Sequence, residues 1–146
     1  MLVFITICTK DDVDGVVEIA SKTYQLQPTN GNNVSGTARF INNSNGTISV
    51  ELNLTGTSSS ATLPAHIHCN TAAETGPHSI TLVSTSGETG ESVSTFNIED
   101  DGTQINYQQL LNMDGYVAVH ADTNNSQVVA TVDISQNELT QNTTSY

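Results

Sequence analysis

The stretch Asn45-Gly46-Thr47-Ile48-Ser49-Val50-Glu51-Leu52-Asn53-Leu54 decides how the rest of the chain is read. Ile48, Val50, Leu52 and Leu54 alternate with Ser49, Glu51 and Asn53, a period of two that gives a strand one dry and one wet face. Asn45-Gly46 ahead of it reads as a hairpin turn, because both central positions of a type I′ turn need positive φ. Val34–Ile41 is then the partner strand. Outward from this hairpin the same alternation of short apolar runs and turn residues continues in both directions. Strands are expected at Thr23–Gln27, Leu63–Cys69, Ser79–Val83, Ser92–Ile98, Gly115–Ala121 and Gln127–Ile134, with one helical turn over Asn106–Asn112. About eight strands in one domain predict an all-β fold, a Greek-key sandwich or barrel. Its expected limits are residues 14–135, with a separate leader over 1–13 and a polar, fraying tail over 136–146.

A chain of 146 residues is one domain's worth. Fifteen acids against three bases give a net charge of −12. Lys10, Lys22 and Arg39 lie far apart, so no basic cluster exists to neutralise phosphates, and nucleic acid is excluded as a partner. An anionic membrane surface is disfavoured on the same ground. Asn, Ser and Thr together make up about a third of the chain, a usage that favours strands and turns over helix. No apolar run approaches the ~20 residues of a membrane-spanning helix.

Leu2–Ile7 is apolar and ends at Cys8, followed by Thr9-Lys10-Asp11-Asp12. The basic start of a secretory signal is missing, so Met1 reads as an internal start. Ile5-Thr6-Ile7-Cys8 resembles a bacterial lipobox, and Lys10-Asp11-Asp12 resembles the export tag of Bacteroidetes surface lipoproteins. These resemblances imply a diacylated Cys8 and a chain anchored at the cell surface or outer membrane. The alternative is a short first strand with a free thiol at Cys8. Cys69 is the one other cysteine, and no disulfide is expected.

The four histidines stand in Pro64-Ala65-His66-Ile67-His68, Gly76-Pro77-His78 and Tyr116-Val117-Ala118-Val119-His120. Alternation along a strand puts His66 and His68 on one face with Ile67 on the other, and His120 opposite Val117 and Val119. If the apolar residues point inward, His66, His68 and His120 share the outer face, and pairing of the two strands converges them. His78 is expected to reach over from its loop. Neutral imidazoles are borderline donors that suit copper and zinc. The competing reading is a hydrogen-bonded polar cluster that braces the two strands. Cys69, next to His68, is expected to face the core, and Glu99-Asp100-Asp101 to be a solvated turn or, less readily, a calcium site.

Leu63-Pro64-Ala65-His66-Ile67-His68, then Gly76-Pro77, Leu110-Leu111 and Gly115-Tyr116-Val117-Ala118-Val119-His120 resemble the signature stretches of the CHRD (chordin) domain family. Val34-Ser35-Gly36-Thr37-Ala38 fits as well, so the likeness spans about Thr23 to Ile134. Two stretches depart from it: Cys69-Asn70 replaces a Gly-containing continuation, and Ser126–Ala130 stands where members carry Gly-Glu-Ile-Arg-Gly. A fainter resemblance is to copper–zinc superoxide dismutase, where a His-x-His strand, a Gly-Pro-His and a Val-x-His supply copper ligands outside a Greek-key barrel. It implies His66, His68, His78 and His120 as the metal set. The zinc half has no counterpart, since no histidine lies between His78 and His120. The two resemblances together imply a superoxide-dismutase-like or immunoglobulin-like arrangement of the strands.

The expected function is an exported CHRD-like module that binds copper or zinc, with a metal ion and a cell-surface protein as partners. A copper-only dismutase-like enzyme is one alternative, opposed by the absence of any Lys or Arg beyond Arg39 to draw in an anion. A structural or adhesive surface module without metal is the other.

Overall fold

The computed structural model describes residues 15–124 and 127–138. It contains eight strands: β1 (Glu18–Pro28), β2 (Ser35–Asn43), β3 (Ile48–Thr55), β4 (Thr62–Cys69), β5 (His78–Ser86), β6 (Glu91–Phe96), β7 (Asp114–His120) and β8 (Val128–Ser135). One short helix, α1 (Tyr107–Leu111), precedes β7. All pairings are antiparallel, in the order β5-β4-β7-β8-β1-β2-β3-β6. The chain crosses between the two halves after β3, β5 and β6, which is the Greek-key pattern expected of an all-β chain with this many short strands.

The sheet curls until its two edge strands meet. β1 bridges the halves: its first part pairs with β2, while Gln27 and Pro28 pair with Thr131 and Ala130 of β8. At the far seam β5 and β6 are joined by side chains. The Val83 N–H donates to Ser94 Oγ (2.7 Å), and the Thr85 and Ser92 hydroxyls bond at 2.8 Å. Thr85 is fully buried there. Hydroxyls thus satisfy donors and acceptors where the curl brings two edges together without a ladder.

Phe40, Ile48, Val50, Ala65, Ile67, Val117, Val119 and Ile134 fill the interior and are wholly inaccessible. Each large apolar side chain so placed contributes about 1.5–3 kcal/mol. Tyr24 packs edge-on against Phe40 at 5.1 Å, and its hydroxyl accepts the Ser135 N–H. This links β1 to the end of β8.

Three expectations change. In the β2–β3 hairpin Gly46 alone takes a positive φ (89°), and Gly46 and Asn43 bond as Gly46 N–H to Asn43 O and Asn43 N–H to Thr47 O. That is a tight turn followed by one left-handed residue, not a two-residue turn with both centres left-handed. β1 and β5 run several residues beyond the expected Thr23–Gln27 and Ser79–Val83, because pairing with β2 and β4 supplies order that their polar ends do not signal. Gln136, Asn137 and Glu138, expected to open a fraying tail, are tied down. Asn137 Nδ2 donates to Asn70 O, Asp114 Oδ1 and Gly115 O, and Glu138 pairs with Lys22. Cys8 and the whole expected leader over 1–13 lie outside the described residues, as do residues 14 and 139–146.

Candidate metal centre

β4 and β7 are neighbours, with Ile67 opposite Val117 and Ala65 opposite Val119, all in the core. The alternate positions face away from it. His66 stands opposite Ala118, whose methyl leaves room for an imidazole. His68 stands opposite Tyr116, and the two rings stack at 4.8 Å and 12°. His120 lies two residues beyond Ala118, diagonal to His66, with ring centroids 5.4 Å apart. His66, His68 and His120 each bring a ring nitrogen to within 4.8 Å of the others. Two nitrogens bound to one ion at ~2.0–2.1 Å are at most about 4.2 Å apart, so modest side-chain rotations close the set.

The outward face is drier than alternation alone implies. His66 and His120 are each only 8% exposed, and the 70–77 connection lies beside His68. There the Gly76 carbonyl accepts a hydrogen bond from His68 Nδ1 at 2.8 Å. A carbonyl can only accept, so Nδ1 carries the proton and Nε2 the lone pair. His68 Nε2, His66 Nδ1 and both nitrogens of His120 are buried with no hydrogen-bond partner among the described residues. A strand-bracing cluster would use those atoms in mutual or backbone hydrogen bonds. Here they are orphaned and close together, which is the condition a metal ion satisfies.

Charge follows from burial. Desolvation pushes His66 down to about 4, and repulsion from His78, His120 and His68 adds to it, against a small opposing pull from Asp100. His120 is lowered by burial and then by His68 and His78. His68 is lowered by burial, with the Gly76 carbonyl opposing. All three are therefore neutral at pH 7, with lone pairs available to an ion.

His78 reaches the cluster, as expected, but from the start of a strand and not from a loop. It is the first residue of β5, paired with His68 across a bulge at Ser79 of β5, and is half-exposed. Its ring lies 4.5 Å from that of His66, but its Nε2 faces Asp100 Oδ2 at 3.6 Å. His78 thus sits at the rim and outside the compact three-histidine set. Asp100 is not a free turn carboxylate: it accepts the Thr81 N–H (2.9 Å) and hydroxyl (2.7 Å). Asp101 instead caps the Thr103 N–H, so the acidic run does not converge on a cation. Cys69, expected in the core, is half-buried at the end of β4 and forms no disulfide among the described residues. Sequence reasoning missed Tyr116, the Gly76 carbonyl and Asp100 as neighbours of the histidines. Only Tyr116 carried a readable cue, since it shares a strand face with Ala118 and His120.

An antiparallel β-barrel with a dry cluster of imidazoles on its outer face, four of their ring nitrogens without a partner among the described residues, is the class of protein defined here. The family model for the CHRD domain matches residues 17–131, and the chain belongs to the CHRD domain family. A search of curated proteins returned no match, and neither did a search of solved structures. The likeness to the copper site of superoxide dismutase rests on the order of the histidines alone.

Proposed function

We propose that this CHRD module is exported, is anchored at the cell surface through Cys8, and holds one copper or zinc ion through His66, His68 and His120. Two observations carry the metal reading: one ring nitrogen from each of the three neutral histidines lies within 4.8 Å of the others, and four of their ring nitrogens are buried without a partner among the described residues. The lipobox-like Ile5–Cys8 and the Lys10-Asp11-Asp12 tag support export. His78 and Asp100 stand at the mouth of the site. When bound, the ion would supply Lewis acidity and, as copper, one-electron exchange.

Binding without turnover is favoured over a dismutase-like activity by the local charge. Among the described residues the cations Lys22 and Arg39 are paired with Glu138 and with Glu18 and Glu51, on β1 and β2 rather than beside the histidines. The carboxylate at the rim, Asp100, repels an anionic substrate.

The test is metal content by mass spectrometry, before and after loading with copper or zinc and dialysis. About one equivalent retained by the protein, and lost in both His66→Ala and His120→Ala, is the expected result. Retention of none, or full stoichiometry in both variants, overturns the reading.

A further inference from the structure

Where the β2–β3 turn meets the connection from β6 to α1, a hollow of about 360 Å³ is lined by Asn45, Asn97, Gln104, Ile105, Asn106 and Gln109. Five of these are carboxamides, and no acid lines the hollow in a chain that carries fifteen. Backbone donors fix which way three of the amides face. Asn106 Oδ1 accepts the Gln109 N–H at 2.8 Å, and Gln109 Oε1 accepts the Asn106 N–H at 2.9 Å. Asn45 Oδ1 accepts the Thr47 N–H at 3.1 Å and the Thr47 hydroxyl at 2.7 Å. A backbone N–H only donates, so the oxygen end of each amide is committed and the NH2 end is left to the hollow or to water. Asn97 and Gln104 are held by their backbones, through Ile105 N–H to Asn97 O at 3.0 Å and the bridge between Ile98 and Gln104.

We propose that this hollow binds a neutral saccharide. Its walls are rich in preset N–H donors and hold no charge, which matches a ligand made of hydroxyl and ring oxygens. An apolar ligand would strand five amides without partners, at a cost for each polar group left buried. An anion is opposed by the net charge of −12 and by Glu99 and Asp101 in the same connection. The volume falls at the lower end of the ~300–1,000 Å³ range of small-ligand sites, enough for a short saccharide. No histidine lines the hollow, so this inference is independent of the metal reading.

The test is a titration of the 15N-labelled full chain with glucose, galactose, mannose, N-acetylglucosamine and their disaccharides, followed by NMR. Saturable shifts in the side-chain NH2 signals of Asn45, Asn97, Gln104, Asn106 and Gln109 are expected with at least one sugar. Gln104→Ala and Asn97→Ala should each weaken that binding by several-fold to roughly tenfold with the backbone spectrum otherwise unchanged. His66→Ala should bind the sugar normally. Absence of saturable shifts with every sugar overturns the proposal. So does a response to acetate or phosphate equal to that for sugar, or binding indifferent to both alanine variants.

Discussion

His120→Leu should make the metal-free protein more stable and the metal-loaded protein less so. In the folded chain both His120 nitrogens are buried, 8% of the residue is exposed, and neither nitrogen has a partner among the described residues. Leaving a buried polar atom unsatisfied costs ~1–3 kcal/mol. Leucine removes both such atoms and keeps most of the side-chain volume, so the expected gain is about 1–3 kcal/mol after allowance for imperfect packing. With a urea slope of ~1–3 kcal/mol/M, the unfolding midpoint should rise by roughly 0.5–1.5 M at pH 7.5 in the presence of chelator. Metal reverses the order. An ion at a hundred times its dissociation constant adds ~2.7 kcal/mol to the protein that binds it, and the variant has lost a ligand. Paired urea melts with chelator and with copper or zinc read both terms. A metal-free His120→Leu protein destabilised by more than about 1 kcal/mol would refute the reasoning, since it would mean that the imidazole braces the strands through bonds of its own.

Three further outcomes follow from the geometry. The metal-free protein should lose stability as the pH falls from 6.5 towards 4. Unfolded His66 takes up a proton below about 6.5 and folded His66 only below about 4, so the stability is whole above 6.5 and is lost between those values. His66 alone accounts for at most about 3 kcal/mol, and the lowered His68 and His120 act in the same direction; a melting temperature flat across that window would contradict it. Gly76→Ala should leave the fold cooperative but weaken metal binding by roughly 10–100-fold. A Cβ there would lie 2.4 Å from the Cys69 carbonyl oxygen, so the segment that holds the carbonyl on His68 Nδ1 must shift; competition with a chromogenic chelator measures the change. Asn137→Ala should cost about 2 kcal/mol in a urea melt, because its amide ties together Asn70, Asp114 and Gly115 at the ends of β4 and β7. An unchanged midpoint would show that those bonds are replaced by water without loss.

Much of this protein is written in local patterns. The two-residue period of Ile48–Leu54 holds as β3, and its partner lies where the turn residues place it. The alternation in Pro64–His68 and Tyr116–His120 assigns each histidine its face before any pairing is known, because successive strand residues point to opposite sides. The helical turn near Asn106 also stands, with Asn106 and Gln109 bonding reciprocally to each other's backbone. The CHRD domain match over residues 17–131 covers the span in which those short words lie.

Other features depend on long-range register, which no local pattern encodes. That β4 lies beside β7, with Ala118 opposite His66 and Tyr116 opposite His68, is decided by packing between segments some fifty residues apart. A slip of two residues would keep every side chain on its face and still scatter the imidazoles. The fate of His78 is likewise tertiary: a bulge in β5 and the Thr81-anchored Asp100 set it at the rim. So is the burial that keeps the cluster neutral, since Tyr116, the Gly76 carbonyl and the other imidazoles come to each ring from different segments. The sequence by itself determined the β class, the family and the face on which each histidine lies, because these follow from nearest-neighbour geometry. The tertiary structure alone decided that three of the imidazoles meet with their lone pairs unpartnered. Distance, desolvation and tautomer are all properties of what stands across the strand and above it.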